Sequence, residues 1–195
     1  MSKTLPSKFV PDATVEQKGA AFQVRLAQDG DHDAIYTLLR GDTSDIPKND
    51  PRHPLQERDK ILRASRDPDS KTRCWLAVWD GKPVGIITTR DLSGGVFIDE
   101  QHRGKRIADA LVNTRDVFLA GIGETISAAH IRVDNEASIK LHKRCGYDFD
   151  EKSKRMLKEA PSGNTVIVMT KSLAGLASEV RQQSPAQKPT SPRLG

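Results

Sequence analysis

The chain has 195 residues, of which 36% are hydrophobic and 29% are charged, and its formal net charge is +5. This length suits one globular domain with tails, and a core of that size needs neither disulfides nor a structural metal. No run approaches the roughly 18 to 20 apolar residues of a membrane-spanning helix, so we expect no membrane partner. The opening residues lack a signal-peptide core and two cysteines form no disulfide framework, which favours a cytoplasmic protein.

The excess of positive charge is spread along the chain, with 31 Lys and Arg against 26 Asp and Glu. A nucleic-acid-binding protein usually concentrates positive charge and aromatic residues in one patch, whereas aromatic residues make up only 5% of this chain. Nucleic acid is therefore an alternative partner that only the net charge favours. A steep salt dependence of binding would reveal it.

The first half of the chain predicts a tail, one strand and two helices. Residues 1–20 mix Lys, Ser, Pro and Gly without periodicity, which is typical of a flexible N-terminal tail. Apolar residues alternate in 22–27, which predicts a half-buried strand. Asp31 can cap a first helix, and 55–66 predicts a short second one. The proline-containing loop between them, 41–54, is a candidate substrate lid.

The second half alternates strands with helices. The Asp80-Gly81 step between two apolar runs, 74–80 and 83–90, is a strong signal for a β-hairpin. The remaining predicted elements are, in order, a strand at 95–99, a helix from about Lys105, a strand at 128–133, a helix at 135–146, and two closing strands at 147–157 and 164–171 around a Pro161-Ser162-Gly163 turn.

This order of elements predicts one domain at residues 21–172, followed by a C-terminal extension at 173–195 that is disordered from about 181. No segment repeats at a fixed period, which excludes a solenoid or a propeller. Strands outnumber helices, and two strand-helix-strand crossings lie in the second half. We therefore expect an α/β or α+β fold with a mixed sheet and helices on its faces.

The most informative stretch, residues 96–112, reads as a strand, a short basic turn and a helix with an apolar face. Backbone N–H groups at a helix start, together with the helix dipole, make an anion site. Arg103, Lys105 and Arg106 add positive charge, and Gly104 lets a phosphate approach the backbone. A solvated basic loop before an ordinary surface helix explains the same residues. The P-loop and G-x-G-x-x-G patterns are absent.

Two motifs in register lead to a closer interpretation. The first is Arg103-Gly104-Lys105-Arg106-Ile107-Ala108, and the second contains Asn135, Ala137, Ser138, Leu141, His142 and Cys145-Gly146-Tyr147. With the order of strands and helices, they resemble the GNAT superfamily of acyl-CoA-dependent N-acetyltransferases, whose motifs read R/Q-x-x-G-x-G/A and N-x-x-A/S-x-x-L-Y-x-x-x-G-F. The resemblance covers about residues 22–171. It departs at Arg106, where glycine is usual, and at His142, where tyrosine is usual.

The resemblance implies a mixed, mostly antiparallel central sheet of about seven strands with helices on both faces, and acetyl-CoA as the acyl donor. It implies that the strand before the turn pairs its backbone with the pantetheine arm at Phe97 and Ile98. It also implies a pyrophosphate cradle of backbone amides from Arg103, Gly104, Lys105, Arg106, Ile107 and Ala108. The side chain of Arg106 either crowds the phosphate or reinforces its binding.

Acyl transfer to an amine needs a base for the amine and an acid for the departing thiolate. The resemblance places His142 at the position of the acid, and imidazole can donate a proton near neutral pH. The alternative is a partly buried helix histidine without a chemical role. Asp99 and Glu100 lie at the strand end, where a buried carboxylate could serve as the base, although such acids more often face solvent. Asn135 caps its helix, contacts the cofactor, or does both.

The sequence contains no motif typical of a metal site or of a serine nucleophile. Five histidines are scattered without metal-binding spacing, so we expect no metal, and a G-x-S-x-G elbow is absent. The resemblance therefore implies an enzyme that moves the acetyl group to a primary amine of a small molecule or protein by direct attack, as a monomer or homodimer. The alternative is an inactive module of the same fold that binds a protein or nucleic acid.

Overall fold

The computed structural model describes residues 13–17, 20–40, 47–50, 53–67, 70–89, 95–149, 158–159 and 165–176. The strands in this part of the chain are β1 (Ala13–Gln17), β2 (Ala20–Leu26), β3 (Cys74–Trp79), β4 (Lys82–Thr88), β5 (Val96–Ile98), β6 (Ile126–Arg132), β7 (Asp148–Phe149), β8 (Lys158–Glu159) and β9 (Thr165–Ser172). The α-helices are α1 (His32–Leu38), α2 (Pro54–Arg66), α3 (Ile107–Gly121) and α4 (Glu136–Arg144).

The strands form two sheets. Five strands pair in the order β1-β2-β3-β4-β5, and a second sheet has the order β6-β9-β7 with β8 also on β9. Every pairing among the described strands is antiparallel. Strands β5 and β6 end their respective sheets, so among the described strands none pairs with the backbone edge of β5 that faces away from β4. The expected α/β fold with antiparallel strands is confirmed, and the sheet is split between β5 and β6.

Alternating residues of β3 and β4 face two separate cores, which is why helices cover both sides of the first sheet. On one side Trp75 packs edge-on against Phe118 of α3, with ring centroids 5.2 Å apart. On the other side Leu76 packs in a cluster with Ile35 of α1 and Ile61 of α2. The helices α3 and α1–α2 therefore lie on opposite faces, as the sequence predicts.

The hairpin between β3 and β4 turns at the predicted dipeptide. Asp80 and Gly81 have φ of 48° and 76°, and Trp79 pairs with Lys82 on either side of them. Two consecutive residues with positive φ match a two-residue turn whose twist suits the flanking strands. The Asp-Gly signal is confirmed.

Three local expectations differ from the structure. Residues 13–17, expected in the N-terminal tail, pair with β2 as β1. Asp31 precedes α1 but makes no side-chain cap, because its carboxylate accepts hydrogen bonds from Arg25 at 2.7 and 2.8 Å. The charge and hydrogen bonds of Arg25 lower the pKa of this carboxyl group. Helix α3 begins two residues after Lys105, for a reason given below.

Several expectations lie outside the described residues. These are most of the 41–54 loop, the turn at 161–163 and the C-terminal extension beyond residue 176. Within the described part of the chain, no helix has the length and apolar character required to cross a bilayer.

Candidate functional site

A cleft of about 860 Å³ opens where the two sheets separate. Its walls are β5, the turn after it, the first turn of α3, and one face of α4. Arg40 after α1 and Arg132 at the end of β6 complete the lining. The cleft therefore lies at the stretch that sequence analysis singled out.

The backbone of β5 offers hydrogen-bonding groups to this cleft. The N–H of Asp99 donates to the Val84 carbonyl at 2.9 Å, and the N–H of Thr88 donates to the Gly95 carbonyl at 3.2 Å. Because hydrogen-bonded pairs alternate along an antiparallel ladder, the pair between them, in which Phe97 faces Ile86, also bonds inward.

The alternation turns the backbone groups of Val96 and Ile98 away from β4 and towards the cleft. Ile98 is one of the two residues expected to pair with the donor arm, whereas Val96 was not among them. The residue between them, Phe97, contributes its side chain to the cleft wall and is 42% exposed.

Helix α3 presents an open N-terminus to the same cleft. Its N-cap residue, Arg106, has φ 61° and ψ 12° and makes no side-chain cap hydrogen bond. The N–H groups of the first turn have no acceptor within the helix, and Ile107, Ala108 and Asp109 all line the cleft. The arrangement suits an anion, since the amides and the helix dipole both favour negative charge.

The left-handed conformation of Arg106 explains why α3 starts later than the sequence predicts. Such a conformation strains a residue with a Cβ by roughly 1–2 kcal/mol, and it ends any helix that would extend back to Lys105. Gly104 also has positive φ, 76°, at no such cost. The Arg106 side chain is 61% exposed and bonds Asp109 at 3.3 Å, and both residues line the cleft.

Positive charge dominates the cleft wall. The arginines of the described chain that line it are Arg40, Arg103, Arg106, Arg132 and Arg144. The carboxylate among the lining residues is Asp109, which bonds both Arg106 and Arg144. Partial burial raises the pKa of Asp109, but the hydrogen bonds and charges of Arg144 and Arg106 outweigh that effect and leave its pKa below the usual value.

The structure brings most of the expected donor-binding residues together. Those that line the cleft are Phe97, Ile98, Arg103, Gly104, Arg106, Ile107, Ala108 and Asn135. Lys105 is the exception, because its Nζ lies 4.7 Å from the centroid of the Trp79 ring rather than in the cleft. Asn135 caps α4, since its Oδ1 accepts from the N–H of Ser138 at 3.0 Å, and it also lines the cleft.

The two expected bases, Asp99 and Glu100, have exposed side chains with cationic or histidine partners. Asp99 is 43% exposed and its Oδ2 lies 2.7 Å from His102 Nδ1. Glu100 is 70% exposed and bonds Arg40 at 2.8 Å and Arg103 at 3.3 Å. Neither is a lining residue, and the burial that their catalytic assignment required is absent.

His142 lies in the interior, against the back of the cleft wall. It is 3% exposed, its Nδ1 lies 2.8 Å from the carbonyl oxygen of Ser138, and its ring meets Tyr147 edge-on at 5.1 Å. Burial lowers the pKa of the imidazole, so the neutral form is favoured near neutral pH. With Nδ1–H donating to Ser138, the Nε2 lone pair has no hydrogen-bond partner in the described chain.

Sequence reasoning missed Asp109 and Arg144, which bridge α3 and α4 at the cleft. Arg144 bonds both carboxylate oxygens of Asp109 at 3.1 Å. These residues are 35 positions apart, and no local pattern signals that the two helices meet. Only the ordinary charge signals of a helix, an acid in the first turn of α3 and a base in the last turn of α4, were visible in the sequence.

The described residues offer neither an activated cysteine nor a metal-binding cluster. Burial raises the pKa of Cys74 to about 12 and that of Cys145 to about 11, so neither thiol is an activated nucleophile. Among the residues that the structure describes, no three His, Cys, Asp or Glu side chains are placed to hold a metal ion.

Comparisons with solved structures identify proteins of the same fold. An acetyltransferase of the GNAT family from Streptococcus pneumoniae is 18% identical, with a TM-score of 0.57 over 77% of this chain and 98% of its own. A chimera of the spermidine N-acetyltransferase SpeG from Vibrio cholerae with hSSAT is 18% identical, with a TM-score of 0.61 over 80% and 98%. The GNAT domain of S. lividans PAT is 14% identical, with a TM-score of 0.64 over 83% and 96%.

At these identities the solved structures show the fold alone, and no curated protein matches the chain. The sequence model of the acetyltransferase (GNAT) family matches residues 32–147, which is more than half of the chain and includes the cleft-lining parts of β5, α3 and α4. The chain therefore belongs to the GNAT family of acetyltransferases.

Proposed function

We propose that this acetyltransferase takes its acetyl group from acetyl-CoA and transfers it to a primary amine by direct attack. The observation that carries the proposal is the cleft in which the edge of β5, which pairs with no second strand among those described, meets the open N-terminus of α3. A donor with a diphosphate at one end and an amide-containing arm at the other matches these two features.

The diphosphate binds at α3. The first-turn amides of Ile107 and Ala108 donate to phosphate oxygens, and Arg103 and Arg106 supply positive charge from the cleft wall. The amides of the pantetheine arm then pair with the backbone groups of Val96 and Ile98, which extend the first sheet by one strand-like segment. Arg106 reinforces this site with its charge, because its side chain lies at the rim and bonds Asp109.

In this arrangement the thioester that reacts does not lie next to Asp99 and Glu100. Both follow β5 at the end where the diphosphate binds, whereas the thioester lies towards Val96, about 10 Å back for a strand of three residues. The amine nitrogen attacks the carbonyl carbon, the C–N bond forms, the C–S bond breaks, and the amine proton passes to water. Direct attack is favoured because both cysteines are buried with raised pKa values.

The departing sulfur needs at most one proton, and a thiol has an ordinary pKa of about 8.5. A thiolate is therefore a good leaving group near neutral pH. His142 is poorly placed to supply the proton, since its Nδ1 faces the Ser138 carbonyl and the side chain does not line the cleft. We assign His142 to the support of α4 and the adjacent Tyr147, and its role as an acid is tested below.

The acceptor is a small amine. Support for this class comes from structural relatives named as spermidine N-acetyltransferases, whose shared feature with this chain is the fold. The 41–54 loop, our candidate lid for the acceptor, lies mostly outside the described residues, so the proposal names the chemical class and no acceptor-binding residue.

The donor assignment is tested by thermal unfolding of the full chain with acetyl-CoA, desulfo-CoA and ATP. A ligand at about 100 times its Kd should stabilise the protein by roughly 2.7 kcal/mol, which raises Tm by several degrees. We expect this shift with both CoA compounds and none with ATP. A protein that responds to neither CoA compound would contradict the proposal and favour an inactive binding module.

The transfer itself is tested by thiol release from acetyl-CoA in the presence of spermidine, free lysine and a lysine-containing peptide. We expect release that depends on the acceptor and no acetylated protein by mass spectrometry when the acceptor is omitted. A stoichiometric acetyl-protein formed without acceptor would contradict direct attack.

A further inference from the structure

Trp79, the last residue of β3, lies against the turn that joins β5 to α3. Its indole packs beside Phe22 of β2, with ring centroids 6.0 Å apart and planes 8° from parallel. Two residues of the turn contact the same indole. The ring of His102 lies 5.8 Å from it, and Lys105 Nζ lies 4.7 Å from its centroid. Because these two residues flank positions 103–104, Trp79 contacts the turn on both sides of its tip.

The first side of the turn is also tied to the sheet. The N–H of Asp99 donates to the Val84 carbonyl at 2.9 Å, and Asp99 Oδ2 lies 2.7 Å from His102 Nδ1. The imidazole therefore has a hydrogen-bond partner as well as a ring neighbour. On the second side, the partner of the Lys105 ammonium group among the described residues is the Trp79 ring. The position of Lys105 thus depends on Trp79 more than that of His102 does.

The backbone on this second side needs such a support. Gly104 and Arg106 both have positive φ, 76° and 61°, and the Cβ of Arg106 makes this conformation strained. Strain of this kind persists only where the surroundings hold the residue in place. Lys105 is partly buried and directly precedes Arg106. A cation–π contact and the strain of one left-handed residue are each worth about a factor of ten in an equilibrium constant, so the contact can offset the strain.

Release of the turn would change the start of α3. If Arg106 relaxed to helical backbone angles, the helix could begin at an earlier residue, and the N–H groups without a helical acceptor would shift towards Lys105. In the observed conformation the first turn instead begins at Ile107, and Ile107 and Ala108 line the cleft. The contacts with Trp79 therefore favour the arrangement in which these two amides are available to an anion.

We propose that Trp79 is a positioning residue of this enzyme, which acts through Lys105 and His102 to hold the turn after β5 in the conformation that binds the donor. The inference rests on the proposed function, because it assumes that the diphosphate binds at α3. Neither Trp79 nor Lys105 is among the described residues that line the cleft. Loss of the contact should raise the KM for acetyl-CoA and leave kcat unchanged, since the thioester lies towards the other end of β5.

The test is a double-mutant cycle, with the affinity of the full chain for CoA measured by isothermal titration. Trp79→Leu removes the ring and keeps the charge of Lys105, whereas Lys105→Gln removes the charge and keeps the ring. We expect each single variant to bind CoA about fivefold to tenfold more weakly, and the double variant to bind no more weakly than Trp79→Leu. A lysine that contacted the phosphates directly would weaken binding by the same factor with or without the ring.

A matched control comes from a second lysine that lies over an aromatic ring. Lys143 Nζ is 4.9 Å from the Phe149 centroid, and Lys143 does not line the cleft, so Lys143→Gln should leave the affinity for CoA unchanged. Lys105→Arg should keep it within about twofold, because a guanidinium group also stacks on an indole.

Circular dichroism and Tm establish that the variants are folded. If Trp79→Leu is not folded, Trp79→Phe replaces it in the cycle, since it keeps an aromatic ring that attracts a cation less strongly. Lys105→Gln should then weaken CoA less in the Trp79→Phe background than in the unchanged protein. Steady-state kinetics of Lys105→Gln should give a raised KM for acetyl-CoA and a kcat within about twofold of the unchanged enzyme.

The outcomes separate the two proposals. The role of Trp79 is wrong, while the donor site stands, if Lys105→Gln leaves the affinity for CoA unaltered or weakens it equally with and without the Trp79 ring. An equal loss in Lys143→Gln, or a fall in kcat with an unchanged KM in Lys105→Gln, would also overturn it. If the unchanged protein does not bind CoA, the proposed function and this inference both fail.

Discussion

The hydroxyl group of Tyr147 donates a hydrogen bond to the carboxylate of Asp116 across 2.5 Å in the interior of the protein. Asp116 is fully buried on α3, and Tyr147 follows α4, so this contact ties the two helices together behind the cleft. Arg115 donates to the same hydroxyl at 2.7 Å, and Lys171 of β9 donates to the other oxygen of Asp116 at 2.9 Å. Burial raises the pKa of the Tyr147 hydroxyl, which therefore stays protonated.

Replacement of this hydroxyl group should destabilise the fold. Tyr147→Phe leaves buried polar partners without a hydrogen bond, and we expect a loss of about 1–3 kcal/mol in the free energy of unfolding. Urea denaturation measures the change. The control is Tyr36→Phe, at a tyrosine whose ring lies 6.2 Å from that of His53 and whose hydroxyl has no described partner. Equal stabilities of the two variants would contradict the assigned role of the buried cluster.

The left-handed conformation of Arg106 predicts an order of stability for two substitutions. Both Arg106→Gly and Arg106→Ala remove the cation, but only glycine adopts φ 61° without strain. We expect the glycine variant to be more stable than the alanine variant by about 1 kcal/mol. Thermal unfolding of the two proteins side by side is the measurement, and an alanine variant at least as stable as glycine would show that the strain is absent.

The positions of Asp99 and Glu100 predict that neither acts as the catalytic base. Both lie at the diphosphate end of the proposed donor, and both are exposed. Asp99→Asn and Glu100→Gln should each keep kcat within about fivefold of the unchanged enzyme, compared with a loss of about 10²–10⁴ for removal of a general base. Steady-state kinetics at saturating donor and acceptor decides the matter. A hundredfold loss in either variant would restore the base assignment made from the sequence.

The burial of His142 predicts a modest effect on catalysis. His142→Ala should keep kcat within about tenfold, because the imidazole contacts the Ser138 carbonyl and the Tyr147 ring and does not line the cleft. Loss of a general acid would lower kcat by about 10²-fold or more, which is the result expected if His142 donated the proton. The kinetic comparison uses enzyme shown to be folded by circular dichroism. A large fall in kcat with unchanged stability would contradict the assignment of His142 to a purely structural role.

The same residue predicts a pH dependence of stability. Burial lowers the pKa of His142 in the folded protein, so below about pH 6.5 the unfolded chain binds a proton that the folded chain resists. The contribution of His142 is fully present above that value and is lost as the pH falls towards the lowered pKa. Urea denaturation at pH 7.5 and 5.5 should show a smaller pH-dependent loss for His142→Gln than for the unchanged protein. Identical losses in both proteins would count against the buried neutral imidazole.

Much of the local structure was predictable because its signals are local. Asp80 and Gly81 form the expected hairpin turn, since their preference for positive φ is intrinsic to the residues. Asn135 caps α4 through a bond to Ser138, three residues away, which the spacing alone indicates. The basic turn before α3 was visible for the same reason, because residues 103–106 are consecutive in the sequence.

Tertiary structure decided the features that depend on contacts between elements far apart in the sequence. The pairing of residues 13–17 with β2, the separation of β5 from β6, and the bond from Arg144 to Asp109 follow from which faces of the chain pack together. The resemblance predicted His142 as the acid, yet packing against Tyr147 turns it into the core. The composition and periodicity of the sequence determined the elements and the basic turn, whereas the energy of burying apolar faces determined which side chains reach the cleft.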